Sequence, residues 1–523
     1  MKAISDRKLR ITLFFSVLFS CLLLVNWHYD FEFTSGTPFN IRAFVYNIFF
    51  ERELNIDHFW SNAGIDVAYS PNGHLYSGYP PGAAFITLPF FAVEQVVAYL
   101  HTHLLGPMNG TIAWWLESVF IGLPSMLALA LTSVLLFDIL RRFDVSQKVS
   151  LLTAWALPFT TFILPYANVA HYHTLAMFWF FLSLWSLLGL QGQALQTQKG
   201  RVFLAGFALG MAGLTEYATV LYAVPVGGYL LKKFQSEALT KKSLALFLRT
   251  FALGLAIPLT VLALYNWHSF GAPWKFSHQF HGHFPLDLNF YLSQSLDARI
   301  ELAKQLVPKT LVFGLVPWVS LFGIYFSPLR GLFFHAPLVV LAPFGIVWLW
   351  KKYRTEAAAL LGCLAITTLL YSFWTEWWGG AAYGPRFLIS ALPIWFLFVG
   401  FGLKHLRAVS RKPRPIVVLC SCVFMFSCFF VANAAALTGV RDFVREHDIA
   451  APWRLVPVER VQKFVGAVST LDDSKLSPFI FRFHSELPVI SSLSPFVLYS
   501  SFFILLLIVE LLPLICLFRK DNK

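Results

Sequence analysis

Two charged residues stand where charge is costly. Glu216, in "GLTEYATVL", lies between two apolar runs. An ionisable group in such a place is expensive to bury and usually functional. The competing reading is a polar turn at a hairpin apex, close to the surface. Arg386, in "EWWGGAAYGPRFLISALP", is a cation at the edge of an apolar run, on a side of the chain otherwise poor in cations. A phosphate partner explains it, because a guanidinium gives phosphate oxygens paired, charge-assisted hydrogen bonds. The Gly-Gly of "WWGG" has a blander explanation as helix packing.

The surrounding connections share a composition. They read "HYDFEF", "NIDHFW", "GIDVAYSPNGHLYSGYPPG", "LPYANVAHYHT", "YNWHSFGAPWKFSHQFHGHF" and "FSPLRGLFFHAP". Aromatic faces stack on sugars, while carboxylates, Asn, His and Arg bind hydroxyls and phosphates. That mixture suggests a carbohydrate or lipid-phosphate substrate. Any single Trp here also fits an interfacial belt. His268, His278, His281, His283 and His335 follow no firm metal-ligand spacing, so no metal site is expected from them. The six cysteines all fall in apolar runs, which argues against a disulfide framework or a zinc site.

The elements that position these residues are membrane helices. The chain has 523 residues, of which 57% are hydrophobic and 13% charged, and Phe alone numbers 55. A soluble chain could not hide so much apolar surface. Apolar runs of membrane-spanning length recur, each enough to cross a hydrocarbon core of ~30 Å. They predict an all-α polytopic membrane protein of about twelve transmembrane helices, with interfacial helices and large extracytoplasmic loops. The spans fall near 9–27, 113–139, 147–165, 171–190, 202–215, 217–231, 243–265, 331–350, 356–373, 385–403, 415–436 and 493–517. The basic, uncleaved-looking N-terminus reads as a retained first helix. Residues 82–101, which carry Glu94, read as an interfacial helix on the outer leaflet.

Net charge is +13. The cations gather at helix ends, which makes them an orientation signal rather than a nucleic-acid surface. The short connections on the side of the termini hold 25 of the 40 Lys and Arg residues. By the positive-inside rule both termini are cytoplasmic, in a cell membrane of bacterial inner-membrane type. The long loops then lie outside, at 28–112, 266–330 and 437–492. The expected organisation is a transmembrane module over 1–436, a cap loop over 437–492, and a last helix and tail over 493–523. Glu117 and Glu510 are the main acids within spans, and neither has an evident cationic partner in the sequence.

The order of motifs resembles the GT-C class of membrane glycosyltransferases, especially bacterial relatives of the protein O-mannosyltransferases and the lipid A aminoarabinose transferases. The matching stretches are "GIDVAYSPNGHLYSGYPPGAAFITLPF", "PYANVAHYHTLA", "GLTEYATVL", "YNWHSFGAP", "SPLRGLFFHAPLVVL" and "EWWGGAAYGPRFLISALP". The resemblance implies inverting transfer of a sugar from a polyprenyl-phosphate donor to a lipid, glycan or protein acceptor outside the cell. It implies a first-loop acid as the base, for which Asp66, Asp30 and Glu32 are the candidates. It implies that Arg386, Arg330 and Arg42 serve the donor phosphate. His74, Tyr76, Tyr79, His171, Glu216 and Trp378 then line the substrate site. No cofactor is certain, and a divalent cation is left open. The sequence departs from the pattern at Tyr79, where a lysine often stands, and at "SGTPFNI" before Arg42, which lacks the expected acid. The competing functions are a lipid-linked sugar transporter and a GT-C-like assembly protein without catalysis.

Overall fold

A computed structural model of the chain describes residues 5–25, 37–58, 67–188, 199–236, 241–280, 288–305, 317–374, 376–380, 382–409, 415–438, 456–470 and 494–518. It is helical nearly throughout. Each of the twelve expected stretches is helical over most of its described length. Among the described residues six helices have the length and composition to cross a membrane: Gly82–Leu105, Ile112–Arg142, Ser243–Phe270, Arg354–Ser372, Arg386–Ala408 and Val497–Cys516. The first of these is 24 residues long. It stands where the sequence suggested an interfacial helix, and its length and apolarity are those of a span.

Several expected spans are divided at one end. The 202–231 stretch breaks between its two expected spans: helix Lys199–Thr215 stops, Glu216 is extended, and a 3-10 turn Tyr217–Tyr222 leads into helix Ala223–Ser236. The same device recurs at Pro337–Leu341 before helix Ala342–Lys352, and at Arg386–Ala391 before helix Leu392–Val409. In each case a proline (Pro225, Pro343, Pro393) stands within the first three residues of the following α-helix. Proline lacks an N–H and crowds the carbonyl four residues back, so the turn before it tightens. Helix Gln147–Phe159 likewise gives way to a turn at Thr160–Ile163. All four breaks lie toward the long loops.

The two ends of the bundle differ in chemistry. At one end Asp6 accepts from Arg141 and Gln147, Arg10 pairs with Asp138, and Lys404 donates to the carbonyls of Phe143 and Asp144. Arg142 and Arg201 both stack on Trp185. The short basic connections therefore share one face. Described residues of the first two long connections meet around the antiparallel hairpin of β1 (Val67–Tyr69) and β2 (Leu75–Ser77), which pairs Val67 with Ser77 and Tyr69 with Leu75. A second hydrophobic cluster underlies the hairpin and includes Phe44, Tyr69, Tyr76, Tyr79, Phe91, Tyr265, Phe270 and Tyr291.

Glycine sets the closest helix contacts. A Cβ at Gly206 would overlap the Phe251 carbonyl, and one at Gly345 the Phe398 carbonyl. Membrane helices lack a hydrophobic drive to pair, so close backbone approach through small residues supplies the packing. Gly206→Val and Gly345→Val are each expected to cost ~1–3 kcal/mol by overpacking. Lower melting temperatures of the purified protein in detergent check this, with Gly200→Val, which meets open space, as the variant that leaves melting unchanged.

Candidate functional site

The site is built where five connections touch. Tyr79, just after β2, packs its ring 5.1 Å from Tyr172 and 6.5 Å from His278. His278 Nδ1 donates to the Gly78 carbonyl at 2.9 Å, and Ser277 donates to the same oxygen at 3.0 Å. Tyr217 pairs its hydroxyl with Ser277 at 3.2 Å and its ring with His278 at 5.5 Å. Tyr166 donates to the Tyr383 carbonyl. His173 faces Phe387 edge-on at 5.9 Å, and Tyr371 stacks on Phe387 at 4.5 Å. A continuous band of rings thus joins the first loop, the 164–173 turn, the 216 hairpin, the second long loop and the 371–392 connection.

Glu216 lies inside this band, 4% exposed, and not at the surface as a hairpin-apex turn would be. The tight turn forced before Pro225 tucks the apex inward. Tyr371 donates to Oε1 at 2.9 Å, Ser390 donates to Oε2, and His173 Nδ1 lies 3.2 Å from Oε1. The last is an ion-pair distance without good hydrogen-bond alignment. Three separate chain segments therefore close on one carboxylate. His173 was not among the residues singled out from the sequence. Its signal was present in "HYHT": His171 caps the helix Tyr172–Leu187 by accepting from the His173 N–H, which fixes both rings at the helix start.

Arg386 sits at the edge of the band, partly buried, with its guanidinium carbon 5.2 Å from the Phe387 centroid. Its side chain lies against Gly379 and Gly380, whose φ values are +74° and +66°. A Cβ at Gly379 would come within 2.8 Å of Arg386 Nε. "WWGG" is therefore a left-handed loop that cradles Arg386, not a helix-packing pair; only glycine adopts that backbone freely and leaves the room.

Arg330 lies under the same loop. It is fully buried and donates to the carbonyls of Trp378 at 3.2 Å, Leu329 at 3.2 Å and Gly380 at 3.4 Å. It holds from beneath the loop on which Arg386 rests, and Trp378 contributes its carbonyl to that hold. Arg42 is distant from this cluster in its contacts. It forms a forked ion pair with Glu117, Nη2 to Oε2 at 2.8 Å, beside the Trp114 ring. Glu117, which looked unpaired in the sequence, thus has a cation because helix Thr37–Tyr46 folds back onto its neighbours.

The first loop is tied to the second at two levels. Asp57 accepts from the Leu75 N–H at 2.7 Å and from Arg299 at 2.9 Å, and it pairs with His74 Nδ1 at 2.8 Å. Asn72 donates to the Tyr76 hydroxyl at 3.0 Å, and Ser70 donates to the Ser269 carbonyl. His74 and Tyr76 therefore belong to the clasp that seats the hairpin, while Tyr79 reaches the band. Burial pushes the Tyr69 phenol up to about 12 and raises Tyr76 as well, so both remain neutral donors at physiological pH. Asp57 and Arg299 were not singled out from the sequence, since nothing local couples residues so far apart. Asp30, Glu32 and Asp66 lie outside the described residues. Among the described residues no group of three His, Cys, Asp or Glu is placed to hold a metal ion.

Part of the chain matches a known family. Residues 117–263 match the family described as dolichyl-phosphate-mannose-protein mannosyltransferase. The resemblance is to GT-C membrane glycosyltransferases. The matched stretch is a little over a quarter of the chain and contains His171, His173 and Glu216. No curated protein matches the chain. Similar solved structures include the archaeal oligosaccharyltransferase AglB from Archaeoglobus fulgidus in complex with an inhibitory peptide and a dolichol-phosphate. That pair shares 12% identity and a TM-score of 0.49 over 84% of this chain and 56% of AglB. They also include ArnT from Cupriavidus metallidurans bound to undecaprenyl phosphate, at 15% identity and a TM-score of 0.48, over 97% of this chain and 76% of ArnT. The chain spans little more than half the length of AglB.

Two outcomes follow from the geometry. Glu216→Ala leaves His173, Tyr371 and Ser390 around an empty space and is expected to cost ~3–5 kcal/mol; Glu216→Gln, which keeps the volume, should cost less, as thermal unfolding in detergent will show. Asp57→Ala is expected to free the hairpin, with faster amide exchange over residues 72–77 by at least ~10-fold, the loss of a buried charge-assisted contact being worth 1.5 kcal/mol or more.

Proposed function

We propose that the chain is a membrane glycosyltransferase that moves a sugar from a polyprenyl-phosphate donor to an acceptor on the extracytoplasmic face. The observation that carries this reading is the convergence of Arg386, His171, His173, Glu216 and Tyr79 on one aromatic-lined cluster beneath the long loops. Rings suited to a sugar face surround a cation suited to a phosphate. The family matched by residues 117–263 is named for dolichyl-phosphate-mannose and protein, which supports a lipid-phosphate sugar donor.

In this reading Arg386 stabilises the phosphate as it leaves. Charge develops on the oxygen that departs from the sugar C1 with the bonding pair, and a preorganised guanidinium meets that charge without reorganising. Arg330 acts through the loop it holds. Arg42 remains in its pair with Glu117 and supports the architecture of the first loop. A first-loop carboxylate, Asp66, Asp30 or Glu32, takes the acceptor hydroxyl proton as the new C1–O bond forms; it must come within hydrogen-bond reach of that oxygen. Tyr79, Tyr172 and His278 line the approach. The acceptor is a lipid, glycan or protein.

The orientation follows from charge. The face bearing Arg141, Arg142, Arg201 and Lys404 is the cytoplasmic one, with both termini, and the hairpin faces outward. Cysteines introduced at positions 72 and 380 should both react with an impermeant thiol reagent in intact cells; reaction from opposite sides removes the proposal. In vesicles supplied with a labelled polyprenyl-phosphate sugar, Arg386→Gln is expected to lower transfer by ~10²-fold or more, as loss of a charge-stabilising donor does elsewhere. One of Asp66→Asn, Asp30→Asn and Glu32→Gln should abolish transfer, and full transfer in all three would overturn the assignment of the base to this loop.

A further inference from the structure

The cluster holds a second basic group whose chemistry is unspent. His173 is 1% exposed, and its Nε2 has no hydrogen-bond partner among the described residues. A buried ring nitrogen left without a partner is costly, and such a group calls for a ligand, a water or a proton-dependent role. Glu216 Oε1 stands 3.2 Å from the other ring nitrogen. A carboxylate this close to Nδ1 favours the proton on that nitrogen by its charge and stabilises the imidazolium when Nε2 gains one. His173 and Arg386 flank the same ring, at 5.9 Å and 5.2 Å from the Phe387 centroid.

We propose that His173 completes an anion seat with Arg386: Nε2 takes up one proton as a phosphate group arrives and donates a hydrogen bond to it, while Glu216 holds Nδ1. This inference rests on the donor-phosphate reading of Arg386. The charge balance explains the coupling. With the seat empty, the Arg386 cation opposes a second positive charge on His173, and Glu216 favours it. The other titratable groups facing this imidazole are His171, whose ring lies 5.2 Å away, and Tyr172 at 4.0 Å. Tyr371 faces it through Glu216. A phosphate screens Arg386 and adds negative charge, so the bound state holds one proton more than the free state. Affinity must then fall as pH rises through the range where the free protein has lost that proton and the complex has not.

The experiment is calorimetric titration of the purified full chain in lipid nanodiscs with undecaprenyl phosphate. Each titration is run in two buffers of different ionisation enthalpy and repeated between about pH 6 and 8, the range of histidine titration. The wild type is expected to take up about one proton per lipid bound. His173→Gln is expected to bind roughly ten- to a hundredfold more weakly, with the uptake gone. Glu216→Gln should reduce the uptake and leave the protein folded by its melting curve. Inorganic phosphate, titrated in parallel, separates a lipid-headgroup seat from one for the bare anion, and proton uptake with either probe supports the proposal. Binding of undecaprenyl phosphate with no proton uptake in the wild type, or uptake that survives in His173→Gln, overturns the role of His173 and leaves the transferase reading intact. Absence of binding by either probe overturns both. The wild-type titration decides the question even if a variant fails to fold.

Discussion

A carboxylate held inside an apolar bundle constrains everything around it. Glu216 is buried from bulk solvent, so its charge must be met by neighbouring groups, and three side chains from three other segments do this. Helix Tyr172–Leu187 supplies His173, helix Arg354–Ser372 supplies Tyr371, and the 3-10 turn Arg386–Ala391 supplies Ser390. Arg386 opens that same turn. The placement of this carboxylate thus fixes the relative positions of the histidine pair, Arg386 and the ring that His173 and Arg386 flank.

Around this point the protein spends rigidity in layers. Arg330 gives its donors to the carbonyls of the 378–380 loop, so the loop that cradles Arg386 is itself held from below. Two left-handed glycines let that loop pass under the guanidinium. On the other side the β-hairpin of the first loop is clasped by Asp57, His74 and Arg299 near its tip and by Ser277 and His278 beyond its end. The hairpin brings Tyr79 to Tyr172 as a consequence. A loop rich in Gly, Pro and Tyr is not a slack connection here. It is a short sheet pinned at both ends over the helical bundle, with its last aromatic turned into the site.

The helices serve this end of the molecule by stopping early. A continuous α-helix from 217 to 231 would point the residues after Glu216 along its axis. The 3-10 turn set by Pro225 instead turns the chain sharply beside the buried acid. The device recurs before Pro343 and Pro393, and in the second of these the 3-10 turn itself carries Ser390. Helix Lys241–Phe270 does the opposite. It runs 30 residues, longer than a bilayer requires, and its last turns carry Tyr265 and Phe270 up beneath Tyr76.

The sequence by itself determined the class, the rhythm of helices, the break near Glu216 and the separation of a basic face from an aromatic one. These follow from composition and local periodicity, which act within one segment at a time. Arg386 and Glu216 stood out as isolated charges for the same reason. What each charge touches was decided only by the tertiary structure. Arg42 finds Glu117 75 positions away, Asp57 finds Arg299 242 positions away, and Glu216 gathers partners from positions 173, 371 and 390. Such pairs leave no trace in local spacing, because the energy that selects them is the cost of leaving a charge unmet once the helices have packed. That cost also drew Glu216 inward from the surface position its hairpin suggested, and gave His173 a place in the site.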